Sequence, residues 1–298
     1  MSFPNNTSHS LSVVIVSYNV CDYVLDGIAS LYKYCDFPLQ VILVDNNSTE
    51  CDANLFLQKF STVKLIKSAE NGGFAKGNNL GIQQANGDFI LLLNSDTYLI
   101  DDAISKTVNY YQQNKLNGII GCKMLYPNGT LQHTARKYRT IKWELLDLFR
   151  FVLFILPYKK RAQLMLGKYF KSDFNLKCDW VNGAFFMFEK CILNELPDAQ
   201  LDERFFMYGE DQLWCWQIKQ LGYKVYFYAN ASIIHINNGS TEKKNRLTIN
   251  KIMLKNEIKL MHIRLGKNFT YYILSFIYLV KENFRNFIKS IIFYSTNS

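Results

Sequence analysis

Four apolar runs, VVIV (13–16), VILV (41–44), FILLL (89–93) and GIIGC (118–122), most tightly restrict how this chain can fold. None alternates with polar residues, so each reads as a strand covered on both faces. Between them the pattern changes to amphipathic helices, with Val24, Ile28, Leu31 and Cys35 on one stripe and Ile104, Val108 and Tyr111 on another. Residues 52–60 and 74–86 also read as helical, and 63–68 as a short strand. Doubly covered strands joined by helices predict an α/β fold, a Rossmann-like, mostly parallel sheet flanked by helices. Ligands of such sheets bind beyond the carboxyl ends of the strands. Polar clusters stand at those ends: Ser17-Tyr18-Asn19, Asp45-Asn46-Asn47-Ser48 and Asn94-Ser95-Asp96. Core packing alone does not explain a carboxylate closing a buried strand, and Asp96 is therefore the first candidate for chemistry.

The glycine-rich stretch NGGFAKGNNLG (71–81) has P-loop spacing at Gly72 and Gly77, but Asn78 and Asn79 stand where Lys and Ser/Thr are required. No G-x-G-x-x-G follows the first strand, and no G-x-S-x-G elbow is present. Nicotinamide binding and serine hydrolysis both lose their anchors. The seven cysteines are odd in number and never spaced C-x-x-C. That argues against a zinc site or a disulfide framework, and for a reducing cytoplasm. The polar start lacks the basic and apolar regions of a secretory signal.

Beyond the turn YPNGT the segment 143–158 is apolar, yet it carries Glu144, Asp147 and Arg150 and is too short to span a bilayer. CDWVNGAFFMFEK reads as a strand with a glycine break. EDQLWCWQIKQLGY reads as a helix closed by Gly222, and KVYFYANASIIHI as a strand. Two amphipathic helices follow residue 242. One carries a stripe of Leu247, Leu254, Ile258, Met261 and Leu265. The other carries Phe269, Ile273, Phe276, Val280, Phe284, Phe287 and Ile291, flanked by Lys281, Arg285 and Lys289. Of the net charge of +9, residues 242–298 hold 11 Lys/Arg against three acids, so the basicity belongs to this tail. Apolar stripes flanked by cations suit an anionic membrane interface; packing on the catalytic domain or a homodimer seam is the alternative. No nucleic-acid-binding motif accompanies the charge.

The segments VVIVSYN, ILVDNNST, NGGFAKGNNLGI, LLLNSDT, DWVNGAFFMF and FFMYGEDQLWCW occur in one order between about residues 11 and 240. In that order they resemble the inverting glycosyltransferases of family two, most closely bacterial rhamnosyltransferase-like members with the GT-A fold. The resemblance implies a nucleotide-sugar-binding half (10–126), an acceptor-binding and catalytic half (127–241) and the helical tail (242–298). It implies nucleotide binding by Ser17, Asn19, Asp45, Asn71, Gly72, Gly73 and Ser95. Asp96, the remnant of an Asp-x-Asp-like motif, would meet Mg²⁺ or Mn²⁺ on the donor diphosphate, helped by His235. Asp211 would be the general base, supported by Glu210, with the helix dipole holding it ionised. Trp180, Asn182 and Gly183 would face the acceptor, where an aromatic face can stack on a sugar. The common pattern has an acid two positions after this Asp and an Arg further on; this chain has Leu213 and Gln217.

The expected activity is transfer of a sugar from a nucleotide-diphosphate donor to a glycan hydroxyl, in polysaccharide synthesis. The acceptor would be a polyprenyl-pyrophosphate-linked glycan at the inner face of the membrane. A non-catalytic sugar-nucleotide-binding protein and a nucleotidyltransferase are the alternatives, the latter lacking a basic glycine-rich loop after strand one.

Overall fold

A computed structural model describes residues 10–237 and 246–296, with side chains described from 248 to 286 in the second segment. In chain order the elements are β1 (Leu11–Ser17), α1 (Cys21–Tyr34), β2 (Leu39–Asp45), α2 (Asn54–Lys59), β3 (Lys64–Lys67), α3 (Gly73–Ile82), β4 (Phe89–Asn94), β5 (Thr97–Leu99), α4 (Ala103–Gln113) and β6 (Gly118–Leu125). There follow β7 (Leu131–Gln132), α5 (Ile141–Leu148), α6 (Tyr158–Met165), β8 (Leu176–Cys178), β9 (Phe185–Glu189), α7 (Glu210–Gln220), β10 (Lys224–His235), α8 (Arg246–Leu265) and α9 (Phe269–Thr296).

The sheet runs β3-β2-β1-β4-β9-β6-β10-β5, with β7 beside β6 and β8 beside β10. The first four strands along this path are mutually parallel, as are β6 and β10. The fifth apolar strand of the sequence, β6, does not lie beside the fourth. The AFFMF segment inserts between them as β9, antiparallel to both. Its period-two alternation serves two cores at once: Phe185 and Met187 join the layer under α1 and α4, while Phe186 and Phe188 join the layer under α3 and α7. All four are fully buried, and each such side chain contributes roughly 1.5–3 kcal/mol of transfer free energy.

Helix α3 lies unusually close to the sheet because it presents glycine to it. A Cβ on Gly77 would come within 2.6 Å of a Val16 methyl, and one on Gly81 within 2.3 Å of a Val14 methyl. This brings the polar start of α3 down to the strand ends.

One expectation needs correction. Cys21 and Cys51 form a disulfide with their Cα atoms 5.6 Å apart, although the odd, scattered cysteines suggested free thiols. β1 and β2 end side by side in register, Ser17 opposite Asp45, so the segments that follow them are neighbours despite a sequence separation of 30. The other cysteines are free, and burial pushes the thiols of Cys122 and Cys215 well up. Helix α9 is apolar on more than one face. Its buried face is Leu274, Ser275 and Tyr278, and Phe269, Phe276, Val280 and Phe284 of the expected stripe point outward. A helix this apolar has two candidate faces, and the α8 side chain Met261 and α5 residue Ile141 pack against the other one. The side chains of Leu247, Phe287, Lys289 and Ile291 lie outside the described residues. The α8 stripe does face inward, with Met261 buried and Leu254, Ile258 and Leu265 half-buried. Among the described residues no helix is long and apolar enough to cross a membrane.

Gly81→Ala tests the close approach of α3. Alanine gains about 1 kcal/mol of helix propensity, but overpacking against Val14 costs about 1–3 kcal/mol. Net loss of stability in urea denaturation is the expected result.

Candidate active site

A cleft of about 260 Å³ opens at the carboxyl ends of β1 and β4. Its lining brings together Asn71, Gly73, Ser95, Asp96, Asn182, Gly183, Glu210, Asp211 and His235, side chains and backbone drawn from both halves of the chain. Ser17, Asn19, Asp45, Gly72 and Trp180 do not line it. Ser17 and Asp45 are buried behind the rim, and a carboxylate oxygen of Asp45 accepts the Ser48 N–H at 3.2 Å. Asn19, with φ of 55°, accepts the N–H groups of Thr49 and Glu50 and donates its own to Ser48 Oγ. These residues knit the loops after β1 and β2 together. Trp180 lines a neighbouring cleft instead.

The glycine-rich stretch works through Asn46, which sequence reasoning treated only as a turn residue. The buried Asn46 amide donates to Asn71 Oδ1 at 2.8 Å and to the Gly73 carbonyl at 3.2 Å, and accepts the Gly72 N–H. Gly73 has φ of +82°, and a Cβ there would sit 2.4 Å from the Phe206 carbonyl oxygen. Glycine is therefore required by the approach of the 205–209 loop, which also accepts the Phe74 N–H at Phe206.

Asp96 and His235 meet across the antiparallel pairing of β5 with β10. Asp96 Oδ1 stands 3.2 Å from His235 Nε2, and Oδ2 accepts the Asn237 N–H at 3.0 Å. Burial works against the Asp96 charge, but the His235 contact and backbone N–H groups outweigh it and hold the carboxyl below its usual range. On the far side of the ring, Nδ1 is 2.9 Å from Gln132 Oε1. The Gln132 amide nitrogen is committed to the His235 carbonyl, so Oε1 must accept and Nδ1 must carry the proton. Nε2 is therefore the nitrogen that faces Asp96: with a proton it makes the contact that lowers the Asp96 carboxyl, and in the neutral ring it holds the lone pair a metal would take.

Two cis ligands of an octahedral Mg²⁺ at about 2.1 Å stand about 3 Å apart, close to the separation of Oδ1 and Nε2. Asp96 and His235 are thus the residues that could hold a divalent cation. Among the described residues no group of three or more His, Cys, Asp or Glu is placed to hold a metal ion, so further ligands would come from a diphosphate and water.

Glu210 and Asp211 open α7 on the opposite wall. The preceding turn is tightly specified, with Tyr208 at φ 67° and Gly209 at φ 124°, and Asn256 of α8 donates to both the Met207 and Tyr208 carbonyls. Asp211 accepts N–H groups from Gly183 at 3.2 Å and Gln212 at 2.7 Å. Burial raises its pKa, these donors oppose the rise, and the Glu257 charge adds to it; the net shift is upward. Glu210 is raised by burial and then by the Asp211 charge, and its Oε2 has no hydrogen-bond partner. A proton shared by this pair resides on Glu210, because only Asp211 is surrounded by donors that favour its anion.

A Rossmann-like sheet with its acids collected at one rim is the GT-A architecture. The family model described as glycosyl transferase family 2 matches residues 12–171. That is more than half of the chain, which belongs to this family. An uncharacterized glycosyltransferase of Haemophilus influenzae is 32% identical over 109 residues, 36% of this chain and 44% of the relative. A poly-beta-1,6-N-acetyl-D-glucosamine synthase of Staphylococcus epidermidis is 22% identical over 225 residues, 74% of this chain and 48% of the relative. The chain spans less than half the length of the curated relatives it matches. The mannosyltransferase PcManGT of Pyrobaculum calidifontis, solved with GDP-Man and Mn²⁺, shares the fold with a TM-score of 0.58 at 14% identity, over 90% of this chain and 69% of that one.

Gln132 and Asn256 carry no charge and sit in no motif, so only the fold reveals them. Gln132→Ala should lower stability by about 1–3 kcal/mol, since the His235 N–H would lose its acceptor. Proton NMR of the His235 ring should show Nδ1 losing its protection from exchange.

Proposed function

We propose that the protein transfers a sugar from a nucleotide-diphosphate donor to a glycan hydroxyl with inversion. The observation that carries this reading is that Asp211 and the Asp96–His235 pair, drawn from different parts of the chain, line one cleft. The acceptor hydroxyl gives its proton to Asp211 as its oxygen forms a bond to the anomeric carbon. The bond from that carbon to the diphosphate oxygen breaks, and its electron pair leaves with the nucleoside diphosphate. Gly183 and Gln212 orient the Asp211 carboxylate, while Glu210 keeps the shared proton away from it.

Asp96 and His235 would hold Mg²⁺ or Mn²⁺. When bound, the ion supplies charge neutralisation for the departing diphosphate. Among the described residues its lining includes Asp96, Glu210 and Asp211 but no Lys or Arg, so such help is needed there. Asn71, Gly73 and Ser95 are within reach of the donor, with Ser17, Asn19, Asp45 and Gly72 shaping the loops behind them. Asn182 and Gly183 flank the acceptor side, with Trp180 one cleft away. The similarity to a polysaccharide synthase supports a glycan acceptor. The outward apolar face of α9 supports a lipid-carried acceptor at an anionic membrane surface.

Asp211→Asn should lower kcat by about a hundredfold or more and leave donor binding nearly unchanged; full turnover in this variant refutes the base. The active form of Asp211 is the anion, so turnover should fall as pH drops through its pKa. Because that pKa is raised, the acidic limb of the rate profile should lie above the ordinary aspartate value of about 4. Chelation with EDTA, or Asp96→Asn, should abolish turnover and weaken donor binding in calorimetry. A chelated enzyme working at full rate would remove the cation from the reading.

A further inference from the structure

Beside the candidate active site lies a second cleft, of about 210 Å³, with the opposite electrostatic character. The two adjoin: Gln212 follows Asp211, and Trp180 stands two positions before Asn182. Arg136, Lys137, Arg139, Lys168, Lys281 and Arg285 line it, against the carboxylates of Asp147 and Glu257. A third acid, Glu144, is buried next to it and accepts from both Arg139 and Lys281. Six cations against three acids leave a surplus, even with every acid ionised.

The surplus is localised. Arg139 is paired with Glu144 and Glu257, and Lys281 with Glu144 and Asp147. Among the described residues, Arg136, Lys137 and Lys168 have no carboxylate within ion-pair distance, and Arg285 pairs only with Glu282 on its own helix. Arg136 is fixed in place, its Nε donating to the His133 carbonyl at 3.1 Å. Its guanidinium occupies the room that a side chain on Gly167 would take, 2.8 Å from where that Cβ would be. Burial lowers the Arg136 pKa. At Lys168 burial lowers the pKa, the Asp147 charge opposes this, and the charges of Arg150, Arg285 and Lys281 add to it. Trp180, which lines the cleft, has its Nε1 buried with no partner. A fixed, partly desolvated Arg136 with no carboxylate in ion-pair distance, beside exposed Lys168 and Arg285, supplies the recognition elements of a phosphate.

The chain leaves this cleft at Asp147 and passes directly into Leu148–Ile155. Leu148, Phe149, Phe151, Val152, Phe154 and Ile155 in that segment are all exposed, Ile155 to 83%. Helix α9, which closes the cleft with Lys281 and Arg285, adds exposed Phe276, Val280 and Phe284. So much outward apolar surface continuous with a cationic pocket fits an amphiphile whose head is anionic.

Building on the transferase reading above, we infer that this second cleft seats the phosphate or diphosphate of a lipid-linked acceptor. The lipid would lie along Leu148–Ile155 and α9, and the attached sugar would reach past Trp180 toward Asp211. Farnesyl diphosphate is a suitable probe, followed by the fluorescence of Trp143 and Trp180, which both line the cleft. EDTA in the buffer removes divalent cations, so the acidic cleft cannot draw the diphosphate through a metal.

Saturable binding is expected, at least tenfold tighter than that of inorganic pyrophosphate. The double variant Lys168→Gln/Arg285→Gln, at two exposed positions, should weaken farnesyl diphosphate at least tenfold while UDP or GDP binding with Mn²⁺ stays unchanged. Phe151→Ser/Phe154→Ser should erase the advantage of the lipid over pyrophosphate. Wild-type affinity in the Lys168/Arg285 variant overturns the site, and pyrophosphate binding as tightly as farnesyl diphosphate overturns the lipid. Failure of the transferase reading is separable: an enzyme that binds the probe here yet turns over no donor loses that reading and keeps the cleft.

Discussion

The insertion of β9 between β4 and β6 organises everything at the rim of the sheet. Its register sets Leu93 opposite Phe185, and the Asn94 N–H donates to the Ala184 carbonyl just beyond. The segment Asn182–Ala184 is thereby delivered to the carboxyl end of β4, next to Ser95 and Asp96. From there Gly183 reaches Asp211 through its N–H. A single antiparallel pairing thus links the strand that presents one carboxylate to the helix that presents the other. Four fully buried aromatic and sulfur-bearing side chains, Phe185 to Phe188, hold that pairing in place. A slip of one residue would exchange the two faces of the strand and cannot be accommodated by either core.

The helical segment after residue 246 belongs to the same system. Leu260 packs with Phe205 and Leu213 in a small cluster beneath the base helix. Asn256 binds the loop carbonyls at Met207 and Tyr208, Lys259 donates to the Arg204 carbonyl, and Glu257 meets Gln212 and Arg139. A backbone with two consecutive positive φ values, at Tyr208 and Gly209, is sparsely populated on its own. It persists because α8 satisfies its carbonyls on one side and Gly73 admits Phe206 on the other. The basic tail inferred from charge is in this respect a brace for the loop that positions Asp211.

Legibility from sequence followed the physics of each signal. Buried strands and amphipathic helices of the first 125 residues are written as periodicity, and they were recovered within a few residues. The rim clusters were also legible, because a polar group ending an apolar run stands out locally. What stayed hidden depended on distance or on the absence of charge. β9 looks like any apolar strand, and nothing local says that it pairs antiparallel with β4. Cys21 and Cys51 are joined only because two parallel strands end together. Gln132 fixes the His235 ring from 103 positions away, with an uncharged amide that no pattern marks. In α9 apolar residues are spread around the helix, so periodicity alone does not say which face is covered; tertiary packing takes the face carrying Leu274 and Tyr278 and leaves Phe276, Val280 and Phe284 exposed.

The two clefts divide the electrostatic work between them. Among the described residues, the first is lined by three carboxyls and one histidine and by no lysine or arginine. Under the proposed reading those carboxyls would repel a diphosphate that enters without a cation, which would link donor affinity to metal occupancy. The second needs no such partner, because its arginines and lysines outnumber the acids around them. If both clefts were basic, donor and acceptor phosphates would compete for the same surface. With opposite signs, each ligand is favoured where the other is not: a free phosphate group partitions to the basic cleft, and a metal-bound diphosphate to the acidic one. Asp211 lies next to Gln212 of the second cleft, its anion opposed by burial and favoured by the N–H groups of Gln212 and Gly183. Two charges of the second cleft act on it in opposite directions, Glu257 raising its pKa and Arg136 lowering it, so the cationic surplus there does not extend to this carboxyl.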